Sequence, residues 1–309
     1  METRRIGTLD VTVVGLGCNN FGGRVDAKGT AEVVHAALDA GINFFDTADI
    51  YGAGASEEFL GRALGARREH VLIATKFGMK MDEQRRGANP AYVKRACDDS
   101  LKRLGTDYID LYQLHQPDEQ TPIADTLGAL DELVRAGKVR EIGCSNFSRD
   151  QLRAAQQAVN PGSARFVSVQ NQYSMLHREP EAEVIPECQS AGLAFLPYFP
   201  LANGLLTGKY RSGQPVPEGS RGKDGWGPKV FTEENLKVVE ALAGFARLHD
   251  RTMLELAFSW LASQPAVASV IAGAKSPEQV QANAVAAEWR MTPADLNAVD
   301  DILAASAAS

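Results

Sequence analysis

The sequence predicts an α/β chain closed into an eight-stranded parallel barrel, the (β/α)8 or TIM-barrel architecture, with a β-hairpin before it and a helix after it. Three observations lead there. Eight short apolar segments alternate with amphipathic, helix-like ones from Val13 onward, a pattern that implies parallel strands linked by crossover helices. Eight such units without a Gly-x-Gly-x-x-Gly turn favour a closed barrel over a doubly wound sheet. The length, 309 residues, suits one barrel, so residues 1–309 are expected to form a single domain.

Residues Arg4 to Val14 hold two short β-like pieces around a turn at Leu9-Asp10, which predicts the hairpin. The barrel strands follow as Val13–Cys18, Asn43–Ala48, Val71–Lys76, Ile109–His115, Glu141–Asn146, Phe166–Gln172, Leu193–Pro200 and Ser269–Ala274. Helices are expected over Thr30–Ala40, from Ser56 as a cap to Leu64, and over Ala91–Leu104, Ile123–Ala136, Ser148 to about Val159, Val184–Ala191, Glu233–Leu248 and Met253–Ser263. Gly41, Gly105, Gly137 and Gly192 stand where left-handed helix ends are expected. Ser276-Pro277 and Thr292-Pro293 each open a late helix, with a capping hydroxyl and a proline at the first helical position. The Gly/Pro-rich stretch Ala202–Pro228 is too long for an ordinary connection and is expected to serve the site.

A net charge of −7 with 23% charged and 44% hydrophobic residues is that of a soluble globular protein and argues against nucleic-acid binding. No stretch is apolar enough to span a membrane, and the N-terminus lacks the apolar core of a signal peptide. Cys18, Cys97, Cys144 and Cys188 are isolated, with no zinc spacing, and read as free thiols of a cytoplasmic protein. A metal-dependent hydrolase would need several ligands at strand ends; of five histidines only His115 stands at one.

Six predicted strands end in polar side chains: Asp46, Lys76, His115, Ser145-Asn146, Gln170 and Tyr198. In a closed barrel those ends converge on one mouth, where reacting groups sit. Tyr51 lies on the loop just beyond Asp46. A free phenol titrates near pH 10; an adjacent ammonium is expected to stabilise the phenolate and lower that value. Lys76 can supply the ammonium, Asp46 its counter-charge, and His115 a donor to a carbonyl oxygen. Such a set suits protonation of an oxyanion as hydride reaches carbon, and the hydride must come from a nicotinamide.

These stretches resemble the aldo-keto reductase superfamily. GINFFDTADIYG with SEEFLGRAL, ATKFG, LYQLHQPD, GKVREIGCSNF, QNQYS, PYFPLANGLLTGKY and GAKSPEQVQAN follow its signatures in order along nearly the whole chain. The resemblance implies reduction of aldehydes or ketones with NADP(H), Tyr51 as proton donor, and Asp46, Lys76 and His115 completing a tetrad. It implies that Ser145, Asn146 and Gln170 bind the nicotinamide carboxamide and that Tyr198 stacks on the ring. Leu201, Asn203 and Lys209 would cover the pyrophosphate, Arg221 would clasp the adenosine phosphates, and Gly273, Lys275, Gln279 and Asn283 would hold the adenosine end, where a helix N-terminus suits a phosphate. Many relatives carry a basic residue at Gln279 and Glu at Ala282, so Lys275 is expected to take the 2′-phosphate, and NAD(H) stays open as the second cofactor. Gly17 to Phe21 lacks the tryptophan of some relatives, which leaves the carbonyl substrate unspecified. Trp226 is expected near the pocket. The runner-up reading is a nucleotide-binding regulatory subunit of the same fold with little turnover.

Overall fold

The structure, a computed structural model, describes residues 1–210, 213–214 and 230–307. Arg221 and Trp226 lie outside the described residues. Strands β1 (Thr3–Ile6) and β2 (Leu9–Thr12) form the expected antiparallel hairpin, but it turns at Gly7-Thr8 and not at Leu9-Asp10, which pair across it as the first residues of β2. Eight parallel strands then make the barrel: β3 (Val14–Gly17), β4 (Phe44–Asp46), β5 (Leu72–Phe77), β6 (Ile109–Leu114), β7 (Val139–Ser145), β8 (Phe166–Gln172), β9 (Ala194–Tyr198) and β10 (Val270–Gly273). From β3 to β9 each pairs with the next, and β10 pairs with β3. The ring closes just ahead of β10, where the Phe195 N–H donates to the Ala266 carbonyl at 2.7 Å and the Ala268 N–H donates to Phe195 at 3.0 Å.

The helices are α1 (Ala27–Asp39), α2 (Ala55–Leu64), α3 (Pro90–Leu104), α4 (Ile123–Arg135), α5 (Arg149–Gln157), α6 (Val184–Ala191), α7 (Glu233–Leu248), α8 (Met253–Ala262), α9 (Pro277–Val285) and α10 (Pro293–Ala307). Their apolar faces cover the outside of the strands and form one large core with them. Three starts differ from the sequence reading, that of α3 by one residue, at Pro90 behind the Asn89 cap. Helix α1 begins three residues before Thr30, because Asp26 caps it by accepting from the Gly29 N–H at 2.8 Å. Ser56 does not cap α2. The helix starts at Ala55 behind the left-handed Gly54, and the Ser56 hydroxyl is buried on the Cys18 carbonyl at 2.9 Å and the Thr47 hydroxyl at 2.8 Å. Ser148 does cap α5, in a reciprocal capping box with Gln151.

Strand alternation sets the site. Phe44, Ala74, Leu111, Leu196 and Ile271 face inward and pack on Ile6, Leu9 and Val11, so the hairpin floors the barrel. Two residues further along, the same inward faces carry Asp46, Lys76, Gln113 and Tyr198. The parallel registers hold these tips level, with Lys76 opposite Gln113 and Ser145 opposite Gln170. Below the mouth the barrel is apolar, and at the mouth it is polar. All four cysteines are buried free thiols. Among the described residues no helix is long and apolar enough to cross a membrane.

Candidate active site

Lys76 is wholly buried, and its ammonium donates to Asp46 Oδ2 at 2.6 Å and to the Thr47 carbonyl at 2.9 Å. The remaining oxygen of Asp46 accepts from Gln170 Nε2 at 2.8 Å and Gln113 Nε2 at 3.3 Å. A carboxylate 3% exposed is therefore saturated by one cation and two amides, each from a different strand. Gln113 is not among the residues the sequence reading selected. Its signal was available, since it lies on the Leu111–Gln113–His115 side of a strand buried along its whole length. Gly143 leaves room for it, because a Cβ there would stand 3.3 Å from Gln113 Cγ and 2.5 Å from the Ser168 hydroxyl.

The Lys76 ammonium also interacts with the Tyr51 hydroxyl, and Nζ lies 5.2 Å from the Tyr51 ring centroid. Burial pushes the phenol above its ordinary value; Lys76 pulls it down without overcoming that burial. The lowered value expected from the sequence is thus corrected: desolvation of the phenolate outweighs the cation, and Tyr51 is firmly protonated at neutral pH. For Lys76, burial opposes the charge, but Asp46 and Tyr51 outweigh it and hold the ammonium above its usual range. The His115 ring meets Tyr51 edge to face at 5.8 Å. Burial, and secondarily the Lys76 charge, depress this imidazole to about 3, so it is neutral under all ordinary conditions.

Tyr51 opens a tight turn in which Gly52, Ala53 and Gly54 all have positive φ, at 58°, 56° and 100°. At Gly52 the loop after β3 lies so close that a Cβ would stand 3.0 Å from the Phe21 carbonyl and Gly22 Cα. Asn146 also has positive φ, 61°, a conformation asparagine tolerates. That turn lets its Nδ2 donate to the His115 carbonyl at 2.9 Å while its Oδ1 accepts from the Tyr198 hydroxyl at 2.8 Å. The Ser145 hydroxyl donates to the Gln170 carbonyl at 2.7 Å. These hydrogen bonds tie the ends of β6, β7, β8 and β9 into one rim.

The rim opens into a cavity of about 600 Å³. Asp46, Tyr51 and His115 line one end, and Ser145, Asn146, Gln170 and Tyr198 follow. Leu201, Asn203 and Lys209 come from the segment after β9, and Gly273, Lys275, Gln279 and Asn283 from β10 and α9. Lys76 stands behind Asp46. The sequence-selected residues within the described part therefore meet at one site. At the far end the Gln279 side chain accepts from the Lys275 N–H at 2.9 Å, and Ser276, the N-cap of α9, leaves the helix without a side-chain cap. Arg24, which the sequence reading did not select, lines the same cavity from the loop after β3.

Residues 13–304 match the family model described as "Aldo/keto reductase family". The chain belongs to the aldo/keto reductase family. Members are oxidoreductases. The chain is 36% identical to the aldo-keto reductase YhdN of Bacillus subtilis over 306 residues, covering 96% of this chain and 91% of that one. It is 36% identical to aldo-keto reductase yakc of Schizosaccharomyces pombe, a protein named for NADP(+), covering 97% and 90%. The fold superposes on the glycerol dehydrogenase AKR11B4 from Gluconobacter oxydans with a TM-score of 0.87 at 31% identity, covering 100% of this chain and 97% of that one. The holo form of AKR11C1 from Bacillus halodurans gives 0.82 at 33% identity, covering 98% and 96%.

The depressed value of His115 has a consequence for this reductase's acid stability. Below about pH 6.5 the unfolded chain binds a proton at this position and the folded one does not, so the contribution is lost progressively as pH falls toward about 3. Nitrogen-resolved NMR of the imidazole should show a neutral ring from pH 8 down to about 4; a protonation midpoint near 6.5 would contradict the burial described.

Proposed function

We propose that this aldo/keto reductase reduces aldehydes or ketones to alcohols with NADPH, with Tyr51 as the proton donor. The observation that carries the reading is the convergence of the Tyr51 phenol, a neutral His115 and the buried Lys76–Asp46 pair on one end of one cavity. The cavity's donor set fits a nicotinamide dinucleotide along its length. Ser145, Asn146 and Gln170 offer amide and hydroxyl groups suited to a carboxamide, and Tyr198 a ring suited to a flat heterocycle. Lys209, Lys275 and the uncapped N-terminus of α9 suit phosphates. A Cβ at Gly273 would come within 3.0 Å of the Asn19 and Asn20 side chains, so glycine keeps the wall low between the two halves. Bound there, the cofactor supplies the hydride that a carbonyl carbon accepts.

The chain's own residues handle the proton. A carbonyl oxygen gains negative charge as its carbon is reduced, and Tyr51, protonated at neutral pH, gives it a proton. The phenolate left behind forms beside an ammonium that Asp46 keeps charged, which limits the cost of its formation. His115, being neutral, can donate to the same oxygen without adding a charge that would repel Lys76. Asn146 fixes the backbone of His115 and the hydroxyl of Tyr198 together, so it sets two walls at once. Run backward, the same groups serve alcohol oxidation.

Tyr51→Phe should lower kcat for carbonyl reduction by about 10²–10⁴-fold and leave NADPH affinity, read by fluorescence, nearly unchanged. A variant turning over at the normal rate would remove Tyr51 from this role. Lys275→Met should raise KM for NADPH about tenfold, roughly 1.4 kcal/mol of binding, with little change for NADH. Equal effects on both cofactors would take the 2′-phosphate away from Lys275.

A further inference from the structure

The segment between Asp46 and Tyr51 holds a carboxyl that the chemistry above does not use. Asp49 is 1% exposed, and neither of its oxygens makes a close hydrogen bond or ion pair; the Tyr92 hydroxyl and the Ile50 N–H are the donors beside it. Its backbone is held firmly, since its N–H donates to the Lys76 carbonyl at 3.0 Å. The side chain lies in a pocket between the outer face of the barrel and helices α2 and α3. Charged and titratable groups face it from each of these elements. Glu57 of α2 is fully buried; it accepts from the Thr75 hydroxyl at 2.6 Å and from Arg103 Nε of α3 at 2.6 Å. Tyr92 of α3 stands next to Asp49, and the buried Tyr112 hydroxyl of β6, with Cys97 of α3 near it, has no partner among the described residues.

One guanidinium thus faces two buried carboxyls. Arg103 is committed to Glu57 and to the Ser100 hydroxyl at 3.1 Å. Two buried carboxylates sharing one cation leave a net negative charge without water, so one of them keeps its proton. Glu57 has an ion pair and a close hydroxyl donor; Asp49 has no ion pair and only the weaker Tyr92 hydroxyl and Ile50 N–H beside it. Arg103 also packs against the Tyr51 turn, where a Cβ on Gly54 would stand 2.8 Å from Arg103 Cδ. The cluster is therefore mechanically joined to Tyr51 at both ends, through Asp49 on one side and Gly54 on the other.

We propose that Asp49 is a positioning residue for Tyr51: its neutral carboxyl lets the 46–54 segment hold the shape that aims the phenol into the cavity, and its ionisation draws Arg103 away from Glu57 and disturbs that turn. The inference rests on the role proposed above for Tyr51. Burial, then the charge of Glu57, raise Asp49 to about 7, while Arg103, the Ile50 N–H and Tyr92 oppose them. The raised value also sets a stability window. As pH rises from the ordinary carboxyl value of 3.8 to about 7, the unfolded chain gives up this proton and the folded chain keeps it. The fold loses stability across that window and no more above it.

Asp49→Asn imitates the protonated carboxyl at every pH. Wild type should show a melting temperature that falls relative to the variant as pH rises from 4 to 7, with the gap constant from 7 to 9. Amide exchange over residues 46–54, corrected for the intrinsic rate, should quicken about threefold or more between pH 6 and 8.5 in wild type and stay level in Asp49→Asn. In the wild type kcat for carbonyl reduction should fall about threefold or more over the same interval, and Asp49→Asn should lose that inflection. Glu57→Gln, whose amide oxygen can still accept from Arg103 while its NH2 donates to the Thr75 hydroxyl, removes the neighbouring charge and should move the inflection to lower pH. Parallel melting and exchange profiles for wild type and Asp49→Asn would overturn the proposal. Exchange that responds as stated while Tyr51→Phe remains active would leave Asp49 as the pH-sensitive support of this turn and refute only the role given to Tyr51.

Discussion

Lys76 carries its charge where no water reaches it, and the mouth of the barrel is built to make that tolerable. Removing an ammonium and a carboxylate from water costs several kcal/mol per ion, and a single contact between them seldom repays it. Here Asp46 takes the lysine on one oxygen and the Gln113 and Gln170 amides on the other, while the lysine adds the Thr47 carbonyl and the Tyr51 hydroxyl. Four strands, β4, β5, β6 and β8, send these groups inward at one level. A well-packed apolar set would serve stability as well or better. The polar set puts a fixed positive charge beside a phenol, and that is what the site has to offer chemically.

The barrel supplies the rigidity. Parallel registers hold the tips of neighbouring strands level, and the hairpin closes the opposite end, so solvent reaches the polar layer only through the cavity. Left-handed turns at Gly52 and Asn146 bring Tyr51 and the Asn146 amide over the strand ends. The same amide joins His115 to Tyr198, which links the polar end of the cavity to its aromatic wall. The candidate site thus sits on backbone geometry that the local sequence encodes at a few positions.

Much of this was legible in the residues themselves. The spans of β8, α6 and α7 match their sequence-based bounds; Gly192 stops α6 in a left-handed cap and the Thr232 hydroxyl caps α7. Asp46, Lys76 and His115 stood out as polar groups closing apolar strands. What the sequence could not reveal depends on partners far along the chain. Ser56 looks like a cap, but its hydroxyl is claimed by Cys18 and Thr47. Gln113 reads as a strand residue until Asp46 is seen across the barrel. Asp49 reads as a loop carboxylate until α2 and α3 close over it. The direction of the Tyr51 shift has the same origin: a neighbouring lysine can be inferred from a motif, whereas the depth at which the phenol lies cannot.

Lys76, kept charged by Asp46, lowers the cost of ionising Tyr51 against the burial that raises it. Labelling tyrosine at Cζ with carbon-13 and following Tyr51 through alkaline pH tests it without any substrate. In Lys76→Met the phenol should hold its proton to a pH higher than wild type by about one unit or more, roughly 1.4 kcal/mol per unit. If Tyr51 ionises at the same pH in both proteins, the ammonium does nothing for the phenolate.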